Sequence, residues 1–101
     1  MSINSSSLPF TETLVAAAPE APGVFALWQG GGIVYYGRAV TIRMALDEQL
    51  RARALSAQRV SGCSWEVVPD PERRQGELLR EYLTAHHCIP LWNDPQRLPT
   101  D

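Results

Sequence analysis

The sequence predicts an α+β fold in which a small three-stranded, mainly antiparallel sheet is flanked by helices. Three observations carry that expectation. Gly23 to Gly37 reads as a β-hairpin, Ser64 to Val68 has the pattern of a further strand, and two segments after the hairpin, opening at Thr41 and Asp70, repeat their apolar residues at helical spacing. Helices covering the faces of such a sheet bury every one of these stripes at once.

Residues 1 to 8, MSINSSSL, are polar and are expected to fray. Ser7 is placed to cap a short helix with Pro9 in its first turn, Glu12 near its N-terminal dipole and Phe10, Leu14 and Val15 on one side. Pro19-Glu20-Ala21-Pro22 follows as a stiff connector, because each proline biases its predecessor toward extended geometry. Val24 to Trp28 and Ile33 to Tyr36 then flank Gln29-Gly30-Gly31-Gly32, whose glycines supply the positive φ of a tight reversal.

After Tyr36 the period lengthens. Thr41 is the expected N-cap of an amphipathic helix carrying Ile42, Leu46 and Leu50 inward and running to about Leu55. Ser56 to Gly62 reads as a loop. In the third strand Trp65 and Val67 share one face and Glu66 points the other way. Asp70 as N-cap and Pro71 at the first helical position open a helix to about His86 that buries Leu78, Leu79, Tyr82 and Leu83. Gly76 within it is a weakness of about 1 kcal/mol or a site of close packing. Ile89, Leu91 and Trp92 are expected to anchor the tail.

At 101 residues the chain fits one domain, divided into an N-terminal segment (1–18), a folded unit (19–95) and a tail (96–101). A net charge of −2 argues against a surface built throughout for polyanions. All nine basic residues are arginine, a bias that genomic base composition explains more simply than function, although guanidinium suits planar phosphate contacts. Five of them fall between Arg38 and Arg59 against Asp47 and Glu48, which predicts a local basic patch. Cys63 and Cys88 lack metal or redox spacing, and the run His86-His87-Cys88 lacks the i, i+4 spacing of helical ligands. With no visible signal peptide and no membrane-length apolar run, a cytoplasmic protein with reduced thiols is expected.

The motifs resemble those of the GIY-YIG nucleases, which include excision-repair nuclease subunits and homing endonucleases. Pro22-Gly23-Val24-Phe25 is similar to the first signature, Tyr35-Tyr36-Gly37 to the second, and Arg38-Ala39 to the basic-small pair after it. Glu77 to Leu83, with Pro90-Leu91-Trp92-Asn93, resembles the late helix and closing element. The resemblance covers roughly Pro19 to Asn93. It implies a small sheet flanked by helices, DNA as partner, and phosphodiester hydrolysis with one divalent metal, Mg²⁺ or Mn²⁺, a tyrosine-assisted water and a phosphate-binding arginine.

Carried over by position, the resemblance makes Tyr35 the second-signature tyrosine, Glu81 the metal carboxylate and Asn93 the closing asparagine. Phe25 stands where the first signature has tyrosine and has lost its hydroxyl. The catalytic arginine, eight residues after Gly37, is Ala45, and the Tyr or His one turn later is Gln49. Arg43 is near, but two residues on a helix turn about 200°. Arg38, directly after the Gly37 turn, is the candidate phosphate contact.

Each residue also has a structural reading: Tyr35 and Tyr36 as packed strand residues, Glu81 as an ion-pair partner of Arg43, Arg38 or Arg74, Asn93 as a cap of the tail turn, and His86 as a donor at a helix C-terminus. The expected function is therefore a domain with an eroded site that binds nucleic acid with weak or no hydrolysis. The alternatives are an active metal-dependent DNA endonuclease using Arg38 or Arg43, and a protein-interaction or scaffold domain. Oligomeric state is open.

Overall fold

The structure is a computed structural model that describes residues 3, 7–54, 60–90 and 92–93, apart from side chains 53 and 54. The end of the first long helix at Leu55, loop residues 56–59 including Arg59, the Leu91 anchor and the tail 96–101 lie outside the described residues.

The chain order is β1 (Leu8–Pro9), α1 (Glu12–Ala17), β2 (Gly23–Gln29), β3 (Gly32–Ala39), α2 (Ile42–Ala54), β4 (Gly62–Val67) and α3 (Pro71–His86). The sheet is antiparallel with strand order β1-β4-β2-β3. Four strands replace the three expected from sequence. The additional one, Leu8–Pro9, pairs with Cys63 and Gly62 instead of entering a helix. Pro9 biases Leu8 toward extended backbone and is tolerated on an edge, where its missing N–H opposes nothing. The helix begins four residues later than expected: Thr11, not Ser7, is its N-cap, with its hydroxyl accepting from Leu14 N at 3.2 Å. Fraying is also corrected at one point, since Ile3 is buried and its carbonyl accepts from the Ser64 hydroxyl at 2.7 Å.

Central β2 is buried from Gly23 to Trp28 because helices cover both faces. Phe25 and Leu27 pack with Val15 and Ala18 from the α1 region and with Ile42 and Leu46 of α2. Val24, Ala26 and Trp28 pack with Leu78 and Leu79 of α3. The hairpin closes through Gly30 and Gly31, and only Gly30 has a positive φ, 62°, which is the pattern of a type II′ turn.

An irregularity in register decides which faces the β3 side chains take. Trp28 pairs with Ile33 and Leu27 with Tyr35, so Val34 is the extra residue of a bulge. Without it, strict alternation would carry Tyr35 to the face of Ile33. With it, Tyr35 and Gly37 share the face of Leu27 and Phe25, and Tyr36 joins Trp28 beneath α3.

The stiff connector has a second task. Carbonyls of Ala21 and Pro19 accept from Ile42 N at 3.0 Å and Arg43 N at 3.2 Å, satisfying two of the orphan donors at the start of α2. For α3 the expected cap holds: Asp70 accepts from Arg73 N at 3.2 Å and Pro71 opens the helix. Leu83 departs from expectation, being 40% exposed. His86, on the same stripe by helical rotation, is exposed as well, so the end of α3 projects past the core.

Candidate functional site

Phe25 and Gly37 are direct cross-strand partners. The phenyl ring lies over the glycine so closely that a Cβ there would sit 2.2 Å from Phe25 Cζ. The Phe25 ring thus fills the space left open by the missing side chain of Gly37. Tyr35 leans against it with ring centroids 5.9 Å apart. Ala45 of α2 packs on this cluster also, so three of the motif positions, 25, 35 and 45, are brought to one face.

Arg43 is engaged elsewhere. Its Nε donates to the Ala18 carbonyl at 2.8 Å and its Nη1 pairs with Glu20 at 2.5 Å. Arg38 is more open, with a 3.5 Å pair to Glu72 in which both side chains are exposed. Arg51 pairs with Asp47 at 2.9 Å. Within the basic patch expected between Arg38 and Arg59, the described guanidinium groups of Arg43 and Arg51 are thus closely paired with carboxylates and that of Arg38 only loosely.

Glu81 stands on the opposite face from Tyr35, at the rim of a groove floored by Tyr36 and Trp28. Arg74 approaches it at 4.0 Å while making its closest contacts to Glu66, at 2.6 and 3.3 Å. The Glu66 hydrogen bonds are the main cause holding the Arg74 guanidinium protonated above its ordinary range. Among the described residues no group of three His, Cys, Asp or Glu is placed to hold a metal ion. Glu81, with Glu77 one turn before it against the same Arg74 guanidinium, would supply carboxylate oxygen of the kind that suits a largely hydrated Mg²⁺.

Asn93 is bonded to backbone. Its Oδ1 accepts from Tyr36 N at 2.9 Å and its Nδ2 donates to Tyr36 O at 3.0 Å, while Trp92 N donates to Val34 O at 2.9 Å. The segment covers the outer edge of β3, an unpaired row that would otherwise invite association. Replacing Asn93 by alanine strands the part-buried Tyr36 amide and is expected to cost about 2 kcal/mol, measured as a lower urea midpoint.

Sequence reasoning missed Gln75, whose Nε2 also donates to Tyr36 O at 2.9 Å, and Ser64, which accepts from the Trp28 indole at 3.0 Å. Gln75 lies four residues before Leu79 on the inward stripe, a polar residue at core spacing that could have been noticed. Nothing in the sequence marks Ser64.

A two-stranded hairpin, a crossover helix, a third central strand and a late helix, closed by an Asn on the β3 edge, now stand together. Solved structures share this arrangement of strands and helices. The GIY-YIG N-terminal endonuclease domain of UvrC from Thermotoga maritima bound to magnesium superposes with a TM-score of 0.51 at 22% identity, over 83% of this chain and 99% of that one. A tyrosine-to-phenylalanine point mutant of the same domain bound to its catalytic divalent cation gives 0.52 at 21%, over 83% and 99%. The chain has the GIY-YIG fold. No protein-family model matches it, and no curated protein matches it in sequence.

Within the GIY-YIG fold, the residues that the sequence resemblance singles out divide between the two faces of the sheet, with Phe25, Tyr35 and Ala45 on one, Glu81 on the other and Asn93 at the edge. Two buried groups on this scaffold titrate late. Burial, helped by neighbouring Tyr82 and Glu81, pushes the Tyr36 phenol from 10.0 up to about 12, and burial alone pushes the Cys63 thiol from 9.0 up to about 11. Both folded values lie above the unfolded ones, so this stability is present in full below pH 9 and is lost as pH rises toward 12. Urea midpoints are expected to fall across that range, and Tyr36→Phe to flatten the upper part of the decline. Exposed Cys88 is expected to react with a thiol reagent while Cys63 stays protected until unfolding.

Proposed function

We propose that this GIY-YIG-fold domain binds nucleic acid through an eroded site and hydrolyses phosphodiesters weakly or not at all. The observation that carries the reading is the position of the arginines. Ala45 occupies the family's arginine position and packs on the core, and Arg43, the nearest replacement, is held by Ala18 O and Glu20. Losing a preorganised cation at a developing oxyanion costs on the order of 10²–10³ in rate. Phe25, without a hydroxyl, removes a second polar group.

Binding is assigned to Arg38, whose exposed, long ion pair leaves the guanidinium open to a phosphate. Tyr35 and Asn93 are assigned to the wall and edge beside it. Glu81 is assigned to a weakly held Mg²⁺ or Mn²⁺, with Arg74 competing for the carboxylate. The similar Thermotoga domains are endonucleases with a catalytic divalent cation, which supports DNA as the polymer. The thiols are both free and, among the described residues, no helix is long and apolar enough to cross a membrane, which supports a cytoplasmic setting.

The test is oligonucleotide binding measured by anisotropy across a salt series. Binding that weakens with salt, with a slope reduced by about 1 in Arg38→Ala, is expected. No binding at low salt would replace this reading with a protein-interaction domain, which the carboxylate pairing of Arg43, Arg51 and Arg74 favours.

A further inference from the structure

The groove beneath Glu81 has a chemistry of its own. It measures about 410 Å³, within the range of small-ligand sites, and Trp28, Ile33, Tyr36, Tyr82 and His86 form much of its lining. Its floor is fixed. The Trp28 indole is bonded to buried Ser64, and Tyr36 is packed edge-on to Tyr82 at 6.2 Å and 79°. At the hairpin end, nothing among the described residues lies within 4 Å of where a Cβ would stand on Gly31 or Gly32, so the mouth is open there.

Charge selects the occupant. Among the described residues neither lysine nor arginine contributes to the lining, and His86 lies against Tyr82 with ring centroids 4.3 Å apart, whereas the Glu81 carboxylate stands at the rim with its side chain 61% exposed. Arg74 is 4.0 Å from that carboxylate and spends its best hydrogen bonds on Glu66. Aromatic faces carry negative potential and attract cations, and a carboxylate above them adds to the same preference. Without a bound metal ion, a nucleic-acid phosphate would be repelled by the Glu81 carboxylate there.

We propose that this groove receives an arginine side chain of a partner protein. A guanidinium is planar, stacks on aromatic rings and matches a carboxylate through paired N–H donors, which an ammonium does not. The site is distinct from Arg38 but shares Glu81 with the metal proposed above, so an arginine and a metal ion would compete for that carboxylate.

The test is a ¹⁵N NMR titration with the peptide acetyl-Gly-Arg-Gly-amide, in EDTA so that no metal contributes, alongside its citrulline analogue and oligothymidylate. Shifts confined to the Trp28 indole, Gly31, Gly32, Ile33 and Tyr82 are expected with the arginine peptide only. Glu81→Gln, an exposed near-isosteric change, is expected to weaken them about tenfold. Equal response to citrulline, unchanged binding in Glu81→Gln, or shifts located elsewhere would overturn the proposal. Oligothymidylate shifting the same resonances would assign the groove to nucleic acid instead.

Discussion

Gly23→Ala is expected to destabilise the domain by about 3 kcal/mol or more, seen as a large fall in the urea midpoint. The reason is geometric. Gly23 pairs with Ala39 on one side and Val67 on the other, at the end of the sheet where α2 begins. A Cβ there would lie 2.2 Å from the Glu66 carbonyl oxygen, 3.1 Å from its carbon and 2.6 Å from Ile42 Cδ1. Ile42 is fully buried and Glu66 O is backbone, so neither neighbour can yield without moving β4 or α2. Gly31→Ala is the control: nothing lies within 4 Å of its Cβ position, and a change within about 0.5 kcal/mol is expected.

Gly37→Ala is the second large effect, and its neighbours make it diagnostic. All three of the nearest atoms, at 2.2, 2.5 and 2.8 Å, belong to the Phe25 ring. A methyl must displace that ring from a position that is only 3% exposed, at a cost of about 2–3 kcal/mol. Phe25→Leu shortens the intruding side chain. The double variant Phe25→Leu/Gly37→Ala is therefore expected to be more stable than the sum of the single losses implies, by about 1 kcal/mol or more in a double-mutant cycle. Additive losses would mean that the ring and the glycine are not coupled, and that the two signatures are linked by something other than packing.

The parts of the fold legible in sequence were those written in local chemistry. Three glycines between two apolar runs located the hairpin, and Asp70-Pro71 located the start of α3, because turn and cap preferences act within a few residues. Leu8–Pro9 was not legible as a strand, since a two-residue edge takes its identity from Cys63 and Gly62, more than fifty positions away. The bulge at Val34 was equally silent. It nevertheless sets which face Tyr35 and Tyr36 occupy, and with them the division of the motif positions.

For the candidate site the same distinction holds. Glu81 and Asn93 could be singled out only through the resemblance to the GIY-YIG nucleases, and their partners, Arg74 and the Tyr36 backbone, are tertiary facts. The absent hydroxyl of Phe25 could be read directly. That its ring covers Gly37 could not, because cross-strand register is needed to see it. Arg43 likewise looked available as a substitute cation until Glu20 and the Ala18 carbonyl were found around it.

Loss of hydrolysis is tested most directly by metal-dependent cleavage of supercoiled, nicked and branched DNA, comparing the natural protein with Glu81→Ala in Mg²⁺ and in Mn²⁺. Conversion indistinguishable between the two proteins is the expected result, given alanine at position 45, phenylalanine at 25 and an occupied Arg43. Cleavage that requires the metal and disappears in Glu81→Ala would contradict it.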